Sequence, residues 1–385
     1  MYTWAEIEGM LEHGDIQGRL TRDDLPTPAL TVDLDALESN IARMAKHARD
    51  TGRALRPHGK THKCPQIARK LIGAGAVGCC AAKIGEAEAF ARHGVSGLLI
   101  TTAVIGKHKI ERAVRLASRH PATMFCVDHE ANVDDLNQAA AAAKITLNLM
   151  IDLWVGRRTG IQPGAPALGL AQHISGLKNV RLSGIQAYAG QASHVTGWDA
   201  RRKASMDAMS PAVETRCLLE KSGIACPILT GASTGTYNID SEMDGINELQ
   251  PGSFLFMDVD YGLIGGQDGN GEYRDFQTSL SVLTTVVSKP SKELAVVDGG
   301  FKAFSTDRAF PPLARGFQNL AYTWGGDEHG KLNLAGTEAE VNVGDLIEFT
   351  VPHCDPTVNL YDRLWCLRGD AVEGVWPIAA RGMAW

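Results

Sequence analysis

Residues 76–102 read AVGCCAAKIGEAEAFARHGVSGLLITT. A short apolar run, AVGCCAA, is followed by KIGEAEAFARHG. The apolar positions of that segment recur at three- and four-residue spacing, and it stops on a glycine. A second apolar run, SGLLITT, comes next. The pattern is strand, amphipathic helix, strand. It repeats in both directions. Upstream, ALTVD (29–33) precedes LDALESNIARMAKHARDTG, and RALRPH precedes CPQIARKLIGAG. Downstream, ATMFCVD precedes HEANVDDLNQAAAAAK, ITLNLMIDL precedes PGAPALGLAQHISGL, and VRLSGIQAYAG precedes a long helical stretch near 197–223. CPILTGAS closes the series.

Eight or more such units, with near-continuous apolar strands, imply a parallel sheet covered on both faces. An open doubly wound sheet and a closed barrel both satisfy that. The number of units and an extent of about 240 residues favour a (β/α)8 barrel. Beyond residue 274 the texture changes. QTSLSVLTTVVSK, ELAVVDGG, EVNVGDLIEFTV and LYDRLWCLRG are β-rich, with turn signals between them. The expectation is an α/β chain: a barrel over 27–273 and a mainly antiparallel β domain over 274–385, with residues 1–26 packing onto the latter.

The 385 residues are long enough to bury a core without staples. Lys and Arg number 38 against 44 Asp and Glu, a net charge of −6, so nothing global favours nucleic acid or an anionic membrane. The N-terminus lacks a signal-peptide pattern, and no apolar run approaches the ~20 residues of a membrane span. The eight cysteines form no CxxC pair and lie mostly in apolar runs. A reducing cytoplasm with free thiols is expected.

Chemistry concentrates in three places. RPHGKTHKCP (56–65) crowds Arg56, His58, Lys60, His62 and Lys63 behind a strand. These are either solvated rim charges or a setting in which like charges disfavour protonated Lys60 and make it a nucleophile toward carbonyls. GASTGT (231–236) is either an ordinary small-residue loop or an anion cradle of backbone N–H groups. It fits neither the dinucleotide nor the P-loop signature. VPHCDPT (351–357) sets His353 and Asp355 two apart. On an extended strand they share a face and suit a divalent ion; otherwise they belong to a solvated turn. Cys354 then points away.

These features occur together in one order: RPHGKTHKCP, QAYAGQASH, GASTGT, ELQPGSFLFMDVDY, VVDGGFKA, DEHG and VPHCDPTVNLYD. In that combination the chain resembles the D-threonine aldolase and D-serine dehydratase family, from about residue 27 to 382. The resemblance implies an alanine racemase-like fold and dependence on pyridoxal 5′-phosphate. It implies Lys60 as the Schiff-base lysine. Arg158 and Tyr188 become cofactor contacts, Arg158 preferred over Arg157 by the R-x-G pattern. Gly231, Ser233, Thr234, Gly235 and Thr236 become the phosphate cradle, with Gly252, Ser253 and Tyr261 assisting.

The same resemblance makes His353 and Asp355 a divalent-metal pair, for Mn2+ first and Zn2+, Mg2+ or Co2+ otherwise. The aldolase branch shows His-x-Asp, whereas the eukaryotic dehydratase branch uses His and Cys. The expected activity is retro-aldol cleavage of a β-hydroxy-D-amino acid to glycine and an aldehyde, with His194 as general base. A 3-hydroxy-D-aspartate aldolase, a dehydratase, a racemase, a non-catalytic cofactor carrier and a metal-dependent barrel hydrolase are the alternatives. A homodimer is expected by analogy.

Overall fold

The computed structural model describes residues 2–13, 16–156 and 158–385. The chain divides into two compact units. One comprises residues 42–252, 264–272 and 382–385; the other comprises residues 1–41, 253–263 and 273–381.

The first unit is built on eight strands in the order Ala54–Leu55, Glu248–Leu249, Ile228–Gly231, Val180–Ala187, Leu147–Asp152, Met124–Val127, Leu98–Ile100 and Cys79–Ala81. Every neighbouring pair is parallel. A parallel bridge between His58 and Cys80 joins the two ends. There the Cys80 N–H donates to the Pro57 carbonyl at 2.9 Å and the Gly59 N–H donates to the Cys80 carbonyl at 2.7 Å. The sheet therefore closes on itself as a barrel.

Helices such as Pro65–Gly73, Ile84–Arg92 and Lys107–Arg119 return the chain between strands. Strands Met124–Val127 and Leu147–Asp152 are buried over their full length, as strands covered on both faces must be. Cys80, Leu99, Met124, Cys126 and Met150 cluster together, so two of the cysteines serve as small core hydrophobes. All eight cysteines are unbonded and only Cys217 is exposed. Across the sheet, Arg56 meets Glu248 in a buried two-pronged pair, Nε to Oε1 at 2.9 Å and Nη2 to Oε2 at 2.8 Å.

The second unit is a nine-stranded, largely antiparallel sheet. The β-rich segments beyond 274 supply strands Leu280–Ser291, Leu294–Val297, Leu346–Thr350 and Arg363–Arg368. The strand Ala29–Asp33 also belongs here. It runs antiparallel to Leu280–Ser291 and parallel to Arg363–Arg368. ALTVD is therefore not a barrel strand, and the two units are not separated by one cut near 273. Its local pattern, an apolar run ahead of an amphipathic helix, is the same in either sheet. Only partners some 250 residues away decide between them. Ile7, Ile16, Leu20 and Leu25 pack in one cluster with Leu283, Trp365, Leu367 and Val372 of this sheet.

Candidate active site

Lys60 lies in the turn that follows strand Ala54–Leu55, at the end of the barrel where active sites of this architecture gather. It is half-buried. Its N–H donates to His58 Nδ1 at 3.3 Å, and the His58 Nε2 lies 3.2 Å from Thr101 Oγ1. His62 accepts the Cys64 N–H at 3.0 Å and packs its ring 5.8 Å from that of Phe90.

The cationic crowding expected around Lys60 is largely cancelled. Arg56 is neutralised by Glu248, and Lys63 is paired with buried Glu86. Two of its neighbours thus serve the barrel wall. The backbone at Lys63 is left-handed, with φ of 49°, a conformation costly for a residue bearing a Cβ.

Tyr188 follows strand Val180–Ala187 and gathers two other expected residues around its ring. Lys60 Nζ lies 6.0 Å from the ring centroid, and the Arg158 guanidinium carbon lies 5.5 Å from it. Arg158 sits in an exposed stretch after strand Leu147–Asp152. That loop is tied down twice just after Arg158. Thr159 Oγ1 donates to Asp152 Oδ2 at 2.8 Å, and the Gly160 N–H donates to Asp128 Oδ2 at 3.1 Å. Burial pushes the Asp152 carboxyl above the usual aspartate range, with hydrogen bonds from Gln186 and Thr159 working against the shift. Arg157 lies outside the described residues.

His194 caps the C-terminal end of the short helix Gly190–Ser193 and is half-buried. Its turn is bonded to the 231–236 loop, because the Gly235 N–H donates to Ser193 Oγ at 3.1 Å. A Cβ on Gly235 would stand 2.2 Å from the Ser193 carbonyl oxygen, so only glycine permits this approach. Within the loop, Thr236 Oγ1 accepts the Ser233 N–H at 3.1 Å and donates to Asp240 Oδ2 at 2.8 Å. Ser205 Oγ donates to the other Asp240 oxygen at 2.5 Å. Asp240 is fully buried, and desolvation raises its pKa to about 6 despite both hydroxyl donors. Ala232 is left-handed, φ of 69°. Gly252 packs against the Lys60 turn, where an added Cβ would meet Thr61 Oγ1 at 2.5 Å.

Ser253, Tyr261, His353 and Asp355 belong to the other unit. Here the extended-strand reading of VPHCDPT is corrected. His353 is extended, but it is the N-cap of a short helix, Cys354–Val358, and Asp355 lies in that helix's first turn. A proline at the third helical position is compatible with such a start. His353 Nδ1 is 2.7 Å from Asp307 Oδ2, and its N–H donates to Ser305 Oγ at 3.1 Å. Ser253 Oγ lies 3.5 Å from Asp355 Oδ1. Cys354 is fully buried, and its thiol is pushed well above the ordinary value, chiefly by desolvation.

Three residues of this cluster escape sequence reasoning. Asp258 accepts the Tyr261 N–H at 2.9 Å and the Cys354 N–H at 2.8 Å, joining two segments about 100 residues apart. Asp307 holds His353. Arg308 bridges Asp260 at 2.7 Å and Asp307 at 3.5 Å. Only Asp258 leaves a local signal, as an acidic N-cap ahead of VDYG. No group of three or more metal-ligating side chains occurs among the described residues.

Two family models match the chain. The family model described as alanine racemase, N-terminal domain, matches residues 32–260, and the putative serine dehydratase domain matches 279–367. A D-threonine aldolase of Arthrobacter sp is 36% identical over 359 residues, covering 93% of each chain. A 3-hydroxy-D-aspartate aldolase of Paracoccus denitrificans (strain Pd 1222) is 36% identical over 368 residues, covering 94% of each. The crystal structure of D-threonine aldolase from Filomicrobium marinum superposes with a TM-score of 0.91 at 35% identity, covering 95% of this chain and 99% of that one.

Proposed function

The chain belongs to the D-threonine aldolase and D-serine dehydratase family, of alanine racemase-like fold, and from that premise we propose that it is a carbon–carbon lyase splitting β-hydroxy-D-amino acids into glycine and an aldehyde. The observation that carries the reading is the grouping of Lys60 and Arg158 around the Tyr188 ring at the mouth of the barrel.

The residues fit pyridoxal 5′-phosphate. Thr61 Oγ1, beside Lys60, is buried with no hydrogen-bond partner among the described residues. Glycines at 231 and 235 let the 231–236 loop pack directly on Ala187 and Ser193. Lys60 would hold the aldehyde carbon as a Schiff base, Arg158 and Tyr188 would contact the ring, and Gly231, Ser233, Thr234, Gly235 and Thr236 would hold the phosphate. Gly252, Ser253 and Tyr261 complete the proposed set.

His353 and Asp355 fit a divalent ion as a two-ligand open site of imidazole and carboxylate. Mn2+ suits that mixed donor set, and Zn2+, Mg2+ or Co2+ are compatible. With Nδ1 of His353 engaged by Asp307, Nε2 is the nitrogen left to bind. Once bound, the cofactor supplies an electron sink and the metal a Lewis acid. His194 takes the proton of the substrate β-hydroxyl, and the Cα–Cβ bond opens as the carbonyl of the aldehyde forms.

The aldolase reading is favoured over dehydration by the order His353-Cys354-Asp355, in which the cysteine is fully buried and the aspartate is the accessible donor. Product analysis tests it. The enzyme loaded with pyridoxal 5′-phosphate and Mn2+ is given D-threonine, D-phenylserine and D-3-hydroxyaspartate. Glycine and an aldehyde are expected; ammonia and a keto acid would assign a dehydratase. By family membership we further propose a homodimer acting in the cytoplasm. No described helix is long and apolar enough to cross a membrane.

A further inference from the structure

Arg201 is the largest fully buried side chain among the described residues. It lies one turn into helix Trp198–Lys221, and no motif marks it. Its guanidinium spreads over three separate segments. Nε donates to the Gly235 carbonyl at 2.9 Å. Nη1 donates to the carbonyls of Val195 at 3.0 Å and Ile264 at 2.7 Å. Nη2 donates to the Gly265 carbonyl at 2.7 Å. Taking a guanidinium out of water is costly, so a chain keeps one buried where planar, many-donor geometry achieves what a hydrophobic side chain does not.

The segments joined are telling. Val195 follows His194, the proposed base. Gly235 belongs to the proposed phosphate cradle. Ile264 and Gly265 form a turn that accepts the Gly197 N–H at 2.9 Å, at the start of Arg201's own helix. The Gly235 N–H bond to Ser193 Oγ is a second tie between the first two. We propose that Arg201 is a positioning residue that locks the His194 turn to the 231–236 loop, so that the base and the phosphate end of the cofactor are held as one rigid piece. This rests on the function proposed above. It adds a residue that touches neither substrate nor cofactor and acts through both.

The test uses the cofactor-free full chain and compares pyridoxal 5′-phosphate with pyridoxal, which lacks the phosphate. Binding is read by visible absorbance. Wild type is measured first; if it binds neither aldehyde covalently, the parent reading fails rather than this one. In Arg201→Lys and Arg201→Gln, affinity for pyridoxal 5′-phosphate is expected to fall roughly tenfold or more, while pyridoxal affinity stays within about twofold. At saturating cofactor, kcat should fall with KM little changed, because the base is displaced. Arg202→Ala, at a half-buried neighbour paired with Glu242, should behave as wild type. A purely structural role would weaken both aldehydes alike, and that result, or no change in a folded variant, overturns the proposal. If neither Arg201 variant folds, Ser193→Ala decides: it removes the second tie, and the same phosphate-selective loss is required of it.

Discussion

Lys60 stands among fewer net charges than its sequence neighbours suggest. RPHGKTHKCP places four basic side chains within reach, but the carboxylates that neutralise two of them, Glu248 and Glu86, come from elsewhere in the chain. That is why the position of the nucleophile is legible from the sequence and its electrostatic setting is not. Removing the amine tests the position. Lys60→Ala should abolish the visible absorbance of covalently bound cofactor, and an unchanged spectrum would remove Lys60 from the role. His194→Ala should retain that absorbance while turnover falls ~10²–10⁴-fold, the usual worth of a general base. Turnover near that of wild type would place the base elsewhere. Arg158 and Tyr188 were named from a resemblance, and the structure adds what no spacing supplies, a common ring about which Lys60 and Arg158 meet.

Loops and short helices are where local reading fails and tertiary partners decide. The 231–236 loop was recognisable by its small residues, but its foundation was not. Thr236 and Ser205 converge on Asp240, whose pKa lies near 6 against an ordinary 3.8. The folded chain thus holds that proton more tightly than the unfolded chain does. Its stability contribution is greatest below about pH 4 and is lost as pH rises to about 6, a difference of roughly 3 kcal/mol. Asp240→Asn should therefore gain on wild type as pH rises through that window, measured by urea unfolding of the cofactor-free protein at pH 4.5, 6 and 7.5. A gap that stays constant with pH would show that Asp240 does not titrate there. The helix Cys354–Val358 offers a second case. The two-residue spacing of His353 and Asp355 fits an extended strand or a solvated turn, yet His353 caps a helix and is gripped by Asp307. Asp307→Asn should weaken Mn2+ binding 10–100-fold by calorimetric titration. An unaltered affinity would make the contact incidental.

At the scale of the molecule, the barrel and the antiparallel sheet were both legible, since period and turn chemistry distinguish them. Their boundary was not, because strand Ala29–Asp33 finds its partners at Leu280–Ser291 and Arg363–Arg368. The proposed Schiff-base lysine and the proposed metal pair fall in different units, Lys60 in one and His353 with Asp355 in the other. Chelation should accordingly stop cleavage while leaving the cofactor absorbance in place, and added Mn2+ should restore the rate. Full activity in EDTA would refute the metal assignment. The placement of Ala29–Asp33 also sets a schedule for biosynthesis. A ribosome adding ~5–20 residues per second needs on the order of 12–50 seconds after this strand to deliver its first mate, Leu280–Ser291. During that interval the segment is a lone strand edge with neither of its sheet neighbours, the kind of exposed edge that invites mispairing.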